Sequence, residues 1–205
     1  MESLNDRGVE WGLASLPHPE QSVLGDGYVV KALPDGLMMA VVDGLGHGSE
    51  AAKATALCVA MLSASAELPV FEMLRLSHER LRGTRGATAS VARFDYACNG
   101  LIWSGVGDVM GLLFRGDVAA GSGTETLLSR PGVLGSGAPT PTASQINVRR
   151  GDLLVLATDG IARDFERSVD RGAEPRVVAE RILADHSKRT DDALVLVARY
   201  WGLRA

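Results

Sequence analysis

Apolar runs separated by short polar breaks dominate this chain, and most of them have the length of β-strands. Residues 36–42 form a continuous apolar run that ends at Asp43, a pattern typical of a strand buried on both faces. The turn signal Pro34-Asp35-Gly36 precedes it, so residues 27–32 and 36–42 are predicted to form a hairpin. Further strands are predicted at residues 9–15, 88–94, 100–106, 109–114, 146–148, 152–157 and 193–200.

Three other segments have helical patterns. Residues 49–65 are rich in alanine, with Ser49 as the expected N-cap and Glu50 in the first turn. Residues 69–82 place Pro69 in a first turn, and residues 175–186 form the third predicted helix. The element order differs from the alternating rhythm of a doubly wound sheet. It predicts an α+β fold in which two mainly antiparallel sheets pack together with helices outside.

Composition and charge narrow the classes of protein. The 205 residues are 46% hydrophobic and 22% charged, which predicts one globular domain spanning residues 1–205. The net charge of -4, without a basic stripe, argues against nucleic acid as a partner. No apolar run approaches the ~18 residues of a membrane span, and no signal peptide is evident, so we expect a cytoplasmic protein without membrane contact.

Two weaker features of the chain also lead to predictions. Cys58 and Cys98 lie in apolar runs and form no CxxC pair, so both are predicted to be small buried residues rather than zinc ligands. The segment 116–144 is rich in Gly, Ser, Thr and Pro. We interpret it as a hairpin followed by a long loop.

Four aspartates stand at predicted strand ends beside glycine or another acid. They occur in Gly25-Asp26-Gly27, Val42-Asp43-Gly44, Thr158-Asp159-Gly160 and Thr190-Asp191-Asp192. A carboxylate at the end of an apolar strand suits a hard cation, because Mg²⁺ and Mn²⁺ prefer oxygen ligands and keep several waters. An Asp-Gly pair is also a common turn, as expected at Asp35-Gly36, so the metal-site hypothesis depends on the four positions together.

The segment Asp43-Gly44-Leu45-Gly46-His47-Gly48 joins a predicted strand to a predicted helix. A glycine-rich turn of this kind can bind phosphate on its backbone amides, but neither GxGxxG nor a P-loop lysine is present. His47 is open to three roles, as a ligand, a proton donor or a capping residue. Arg85 either supplies a cation near this segment or is an exposed loop arginine.

These strings together resemble a known family. VVDGLGHG at residues 41–48, ATDG at 157–160 and Asp191-Asp192 before the last strand resemble the metal-dependent protein phosphatases (PPM family). The DGxGHG form is similar to the bacterial SpoIIE-type branch. The motifs occur in the family's order and span the chain from Gly25-Asp26 to Tyr200. The resemblance implies a four-layer αββα sandwich, two central antiparallel sheets flanked by helices.

The resemblance also implies roles for individual residues. Asp43 would bridge two divalent cations, and the carbonyl of Gly44 would bind one of them. Asp159 and Asp191 would hold the other cation, and Asp26 would bind directly or through water. Two cations would acidify a shared water, and the resulting hydroxide would attack phosphorus in line. We expect the pair to be Mn²⁺, with Mg²⁺ as the alternative.

Two further points qualify this expected site. Asp192 would support it from outside the ligand set or reach a third, weaker ion. Many eukaryotic relatives place an arginine shortly before the first Gly-Asp to bind phosphate, whereas residues 19–24 contain none. Phosphate binding would therefore fall to the metal ions.

The resemblance implies phosphoserine or phosphothreonine in partner proteins as the substrate. A short phosphatase without a sensor domain is similar to enzymes that act on phosphorylated STAS-domain proteins, first the stressosome scaffold and alternatively an anti-anti-sigma factor. Two other hypotheses are a non-catalytic binding module of the same fold and a small-molecule phosphohydrolase. The loss of a metal-binding carboxylate would favour the non-catalytic module. A small-molecule phosphohydrolase would need a specificity pocket, for which the sequence has no motif.

Overall fold

The computed structural model describes residues 8–116, 123–137 and 139–203. The strands within these residues are β1 (Val9–Leu16), β2 (Asp26–Leu33), β3 (Gly36–Gly44), β4 (Ala87–Asp95), β5 (Gly100–Val106), β6 (Met110–Phe114), β7 (Thr124–Leu127), β8 (Ser144–Asn147), β9 (Leu153–Ala157) and β10 (Ala193–Tyr200). The helices are α1 (Ser49–Ala64), α2 (Val70–Leu81) and α3 (Pro175–His186), with a 3-10 helix at Arg163–Ser168. None of the described helices is long and apolar enough to cross a membrane.

The strands form two five-stranded antiparallel sheets. The first sheet has the spatial order β1-β10-β9-β6-β7, and the second has the order β2-β3-β4-β5-β8. Helices α1 and α2 pack on the second sheet, and α3 packs on β1 and β10 of the first. The predicted arrangement of two antiparallel sheets between helices is therefore what the chain adopts.

Strand β3 shows why a continuous apolar run becomes the centre of this sandwich. Met39 and Val41 face the first sheet and join the core between the two sheets. Met38, Ala40 and Val42 face the other way and join the core beneath α1 and α2. Successive side chains of a strand point to opposite faces, so a strand covered on both faces must be apolar at every position. The prediction of a doubly buried strand is confirmed.

The structure corrects some local predictions. The N-cap of α1 is Gly48 instead of Ser49, and Ser49 is the first helical residue. Gly48 has φ 80°, a left-handed conformation that favours glycine, and its carbonyl accepts the amide of Ala52 at 3.0 Å. Cys58 is buried as predicted, whereas Cys98 is exposed because it lies in the turn between β4 and β5.

One predicted strand begins and ends earlier in the structure than expected. The strand predicted at residues 146–148 lies at Ser144–Asn147, where it pairs with β5 at the edge of the second sheet. The predicted hairpin after β6 is present, because Thr124–Leu127 pairs with that strand. Residues 117–122 at its tip lie outside the described residues.

The contact between β1 and α3 depends on a glycine, and we expect Gly12→Ala to destabilise the fold. A Cβ atom at position 12 would lie 2.3 Å from the backbone N and Cα atoms of Arg176. Helix α3 would have to move, at a cost of about 2 kcal/mol of unfolding free energy. Urea denaturation measures this cost, with Ser15→Ala on the exposed part of β1 as the control. Equal stability of the two variants would contradict this close packing.

Candidate active site

The acidic residues of the second sheet meet at one end of a strand pair. Asp26 is the first residue of β2 and pairs directly with Asp43, near the end of β3. Asp43 in turn lies opposite Thr88 at the start of β4. Directly opposite residues in an antiparallel pair have Cβ atoms about 5 Å apart, so the pairing brings the carboxylates of Asp26 and Asp43 together. Asp26 and Asp43, two of the four predicted strand-end aspartates, are therefore neighbours on the second sheet.

Thr158 connects this pair to the first sheet. Its buried hydroxyl donates a hydrogen bond of 2.8 Å to Oδ2 of Asp26 and accepts the amide of Leu194 at 2.9 Å. The amide of Thr158 also donates to the carbonyl of Leu194 at 3.1 Å. One side chain thus fixes the end of β9, the start of β10 and the start of β2 relative to one another. Thr158 belongs to the ATDG motif, but the sequence alone did not indicate a role for it.

The turn that carries Asp159 packs closely against Asp191-Asp192. A Cβ atom on Gly160 would lie 1.9 Å from the carbonyl oxygen of Asp192, so residue 160 has to be a glycine in this arrangement. The amide of Lys188 donates to the carbonyl of Gly160 at 2.9 Å. Asp159 is exposed, Asp191 is half-buried and Asp192 is buried. The motif pairs DG and DD are therefore adjacent in space.

Asp192 has one carboxylate oxygen with a partner and one without. Oδ1 accepts the amide of His18 at 3.0 Å, while Oδ2 is buried and has no hydrogen-bond partner among the described residues. The side chain packs against Gly25, where a Cβ atom would lie 2.5 Å from Oδ2. Asp191 accepts the amide of Asp192 at 2.9 Å through its own Oδ1. A buried carboxylate oxygen without a donor suits a positively charged or water-bearing partner.

The carboxylates repel one another across the two sheets. Burial raises the pKa of Asp43 to about 9, and the charges of Asp26, Asp159 and other nearby acids add to the increase. Burial likewise raises the pKa of Asp26 to about 8, opposed by the hydrogen bond from Thr158 and assisted by Asp192 and further acids. A neighbouring charge shifts a pKa only when the two groups lie close together. Residues far apart in the sequence therefore converge on one acidic cluster.

Asp159 belongs to the same cluster but lies at its rim. Burial is the largest cause of its raised pKa, followed by the charges of Asp108 and Asp191. Lys188 and Arg163 act in the opposite direction. The rim of the cluster therefore carries positive charges as well as the acids.

Asp108 is an acidic residue that sequence reasoning missed. The hydroxyl of Thr88 donates to its Oδ1 at 2.8 Å, and its charge contributes to the raised pKa of both Asp43 and Asp159. It follows Gly107, whose φ is 93°. The signal was present in the sequence, since Val106-Gly107-Asp108 also ends an apolar strand.

The remaining predicted residues lie around the loop between β3 and α1. A Cβ atom on Gly44 would lie 2.5 Å from the carbonyl of Ala51, so this glycine permits close packing of the loop on the helix. Gly46 has φ 79°, and Nη1 of Arg85 lies 2.8 Å from where its Cβ would be. The structure thus places Arg85 beside the predicted loop, with its side chain exposed.

His47 makes a contact that the sequence did not indicate. Its exposed ring stacks on the ring of His18, with centroids 4.7 Å apart and an interplanar angle of 14°. The backbone amide of His18 is also the one that binds Asp192. The histidine pair therefore borders the acidic cluster, and the three candidate roles of His47 stay predictions.

The donor set fits divalent cations that keep water in their coordination shells. Among the described residues, no three side chains of His, Cys, Asp or Glu meet as a ready-made metal site. The cluster instead offers spaced carboxylates, mutual repulsion that a cation would relieve, and the unpartnered oxygen of Asp192. Mg²⁺ and Mn²⁺ are commonly held by few carboxylates plus water.

Residues 34–201 match the family model of Stage II sporulation protein E, SpoIIE. This chain belongs to the SpoIIE family. The match covers most of the chain, so the predicted SpoIIE-type phosphatase branch is confirmed, and with it the enzyme class of protein phosphatases. The predicted αββα sandwich is confirmed as well, because solved PPM phosphatases share it.

The chain is also similar to individual proteins of known sequence or structure. The phosphoserine phosphatase RsbX of Bacillus subtilis (strain 168) is 26% identical over 186 residues, 87% of this chain and 88% of RsbX. A crystal structure of RsbX in complex with magnesium aligns with a TM-score of 0.86 and 21% identity, covering 97% of this chain and 98% of the other.

Two other solved structures show the same fold. One comes from work on the bacterial stressosome as a modular system adapted to control secondary messenger signalling. It aligns with a TM-score of 0.85 and 28% identity over 93% of this chain and 99% of the other. The catalytic domain of the serine/threonine protein phosphatase PstP, in complex with 2 manganese ions, aligns with a TM-score of 0.69 and 17% identity over 95% and 99%.

The raised pKa values predict how stability depends on pH without metal. Asp26 and Asp43 hold protons in the folded protein that the unfolded chain, with an Asp pKa near 3.8, releases. Their contribution to stability is therefore complete below that pKa and is lost as the pH rises through about 8 to 9.

We expect the urea midpoint of metal-free protein to fall between about pH 5 and pH 9, and Mn²⁺ to remove most of this decrease by displacing the protons. The variant Asp43→Asn should show a smaller decrease, since an amide does not titrate. Calorimetry in buffers of contrasting ionisation enthalpy should detect protons released on Mn²⁺ binding. An identical pH profile for the variant and the unchanged protein would contradict the repulsion described above.

Proposed function

We propose that this chain hydrolyses phosphoserine or phosphothreonine in partner proteins by means of a metal-activated water, with residues 1–205 acting as one phosphatase domain. The observation that supports it most is the convergence of carboxyl groups from both sheets at one edge of the sandwich, where burial and then the neighbouring acids raise the pKa values of Asp26 and Asp43. Such a cluster is costly unless positive charge compensates it. Divalent cations would supply that charge, and the match of residues 34–201 to the SpoIIE family supports a phosphatase role for this cluster.

The proposed roles of the residues follow from their positions. Asp43, at the centre of the repulsion, would contact both cations, and the Gly44 carbonyl would contact one. Asp159 and Asp191, adjacent through the packing of Gly160, would hold the second cation from the first sheet. When bound, a pair of divalent cations supplies a water of lowered pKa and positive charge beside the phosphate oxygens. Mn²⁺ is the expected ion and Mg²⁺ the alternative.

Other residues would orient these groups. The hydroxyl of Thr158 holds Oδ2 of Asp26 by a hydrogen bond. The orientation of the carboxyl group, and therefore of its other oxygen, is fixed by that bond. The amide of His18 fixes one oxygen of Asp192 in the same way. Two hydrogen-bonded carboxylates would thus present their remaining oxygens to metal-bound water without rotating.

The rim of the cluster favours an exposed phosphate group as the substrate. Asp159 is exposed, and Lys188 and Arg163 lie close enough to influence its pKa. Arg85 lies beside Gly46, in the loop that follows Asp43. Positive side chains around an open acidic site attract an anionic phosphate while the acids hold the cations. A serine on the surface of a folded partner can approach such a site.

The partner we propose is a phosphorylated STAS-domain protein, by preference the scaffold of a stressosome. The similarity to RsbX and to a structure from stressosome work supports this choice. A phosphorylated anti-anti-sigma factor is the alternative, because it presents the same kind of phosphoserine on the same kind of domain.

The first test removes the central charge. Asp43→Asn should reduce Mn²⁺-dependent hydrolysis of p-nitrophenyl phosphate at least about hundredfold, because the shared carboxylate loses its charge. EDTA should abolish the activity of the unchanged protein, and added Mn²⁺ should restore it. Asp35→Asn, whose carboxylate pairs with Arg93 on the surface, is the matched control and should retain activity. Turnover by Asp43→Asn within about fivefold of the unchanged protein would exclude the proposed role of Asp43.

A second test addresses the partner. The protein should release phosphate from a phosphorylated stressosome STAS protein with a kcat/KM at least about tenfold above that for a phosphorylated anti-anti-sigma factor. Both are assayed with Mn²⁺ beside p-nitrophenyl phosphate as a generic ester. The reverse preference would select the alternative partner. Hydrolysis of the generic ester alone would argue against either protein as substrate.

A further inference from the structure

The two sheets are covered differently on their outer faces. On the second sheet, α1 packs on β2, β3 and β4, and α2 packs on β4 and β5. On the first sheet, α3 packs on β1 and β10. A helix about 10 Å wide covers roughly two strands spaced about 4.8 Å apart, so α3 does not cover all five. The 3-10 helix covers part of the rest, because its Phe165 joins the same buried cluster as Leu112 and Phe114 of β6.

A groove of about 420 Å³ lies over β6 and β7, on the part of the first sheet away from α3. The 3-10 helix Arg163–Ser168 forms one side of it through Arg163 and Glu166. Residues 126–129, at the end of β7 and just after it, also line the groove. Met110 and Leu112 line it from β6. The groove therefore combines apolar strand residues with the charged residues Asp108, Arg163 and Glu166.

Leu128 is the most exposed large apolar residue in the described chain, with 83% of its surface accessible. It is also held in place on both sides. Leu127 before it pairs with Gly111 in the β6–β7 ladder. Arg130 after it donates its amide to the carbonyl of Gly105 at 2.9 Å and accepts the amide of Gly107 at 2.8 Å. An apolar side chain presented by a fixed backbone is ready to pack against another apolar group.

The groove borders the acidic cluster through Asp108 and Arg163. Asp108 lines the groove and is bound by Thr88, the residue opposite Asp43. Arg163 also lines the groove and influences Asp159 electrostatically. A phosphoserine at the cluster would therefore place its neighbouring residues, spaced about 3.4 Å apart in an extended chain, at the entrance of the groove.

We propose that this groove binds the residues next to the phosphoserine of the partner protein, with an apolar side chain packed against Leu128 and the half-buried Met110. The acids Asp108 and Glu166 outnumber Arg163 along the groove, so a basic residue beside the apolar one fits its charge. The proposal rests on the proposed function, since it assumes that phosphoserine binds at the acidic cluster. It assigns substrate selection to β6, β7 and the 3-10 helix.

The test compares phosphoserine peptides that carry either Leu or Ser within three residues of the phosphoserine, next to a lysine. The unchanged protein with Mn²⁺ should prefer the best Leu peptide over its Ser counterpart about tenfold in kcat/KM. Leu128→Asp should remove this preference. It should leave p-nitrophenyl phosphate hydrolysis unchanged within about twofold, because that small ester does not reach the groove.

Leu203→Asp is the matched control. Leu203 is 56% exposed and lies beyond the far end of β10, away from Asp191 and Asp192. This variant should keep both the peptide preference and the p-nitrophenyl phosphate activity.

Three results would overturn the groove proposal: equal rates on Leu and Ser peptides, a preference that survives Leu128→Asp, or a parallel loss of p-nitrophenyl phosphate activity. Absence of hydrolysis of every substrate by the unchanged protein would instead contradict the proposed function. Fluorescence anisotropy of the same peptides, carrying a fluorescent label, then tests peptide binding to the groove independently of hydrolysis. Tighter binding of the Leu peptide that Leu128→Asp abolishes would support the groove, and equal binding would refute it.

Discussion

Carboxyl groups held close together at one edge of the two sheets are the constraint on which the rest of this structure depends. Asp26 and Asp43 come from the second sheet, and Asp159, Asp191 and Asp192 come from the turns of the first. Burial and repulsion would drive these side chains apart if the backbone allowed it. The backbone does not allow it, because the carboxylates stand at the ends of strands that are fixed in two ladders and a shared core.

Small residues make this convergence sterically feasible. Gly160 lets one acidic turn rest on the backbone of the other, and Gly25 lets the side chain of Asp192 enter the cluster. Thr158 then bonds across the sheets to Asp26. None of these residues needs to contact a substrate to be essential for the site. They set the distances between charged groups, which determine both the repulsion and the binding of any cation that relieves it.

The same architecture separates chemistry from substrate selection. The acidic cluster is built from strand ends and from turns packed against the core, which hold charged groups rigidly. The groove over β6 and β7 lies on the less covered outer face, where a partner can approach without disturbing the cluster. A shared phosphatase fold can thus serve different partners by changing residues such as Leu128.

The sequence by itself determined the two-sheet architecture, because apolar runs with the period of strands must be buried on the faces that the pattern specifies. It also indicated the main acids, since the motifs around Asp43, Asp159 and Asp191 occur in the order of the family they resemble. It misjudged Ser49 as a cap and Cys98 as buried, because local pattern does not reveal a left-handed glycine at position 48 or the path of a turn.

Only the tertiary structure decided which residues meet across the two sheets. Thr158 and Asp26 are 132 positions apart, and Asp108 reaches the cluster through Thr88 rather than through a sequence neighbour. The groove beside Leu128 likewise depends on how the 3-10 helix and the residues after β7 pack around β6. Hydrophobic periodicity constrains each element separately, whereas distances between side chains from different elements depend on how the elements pack.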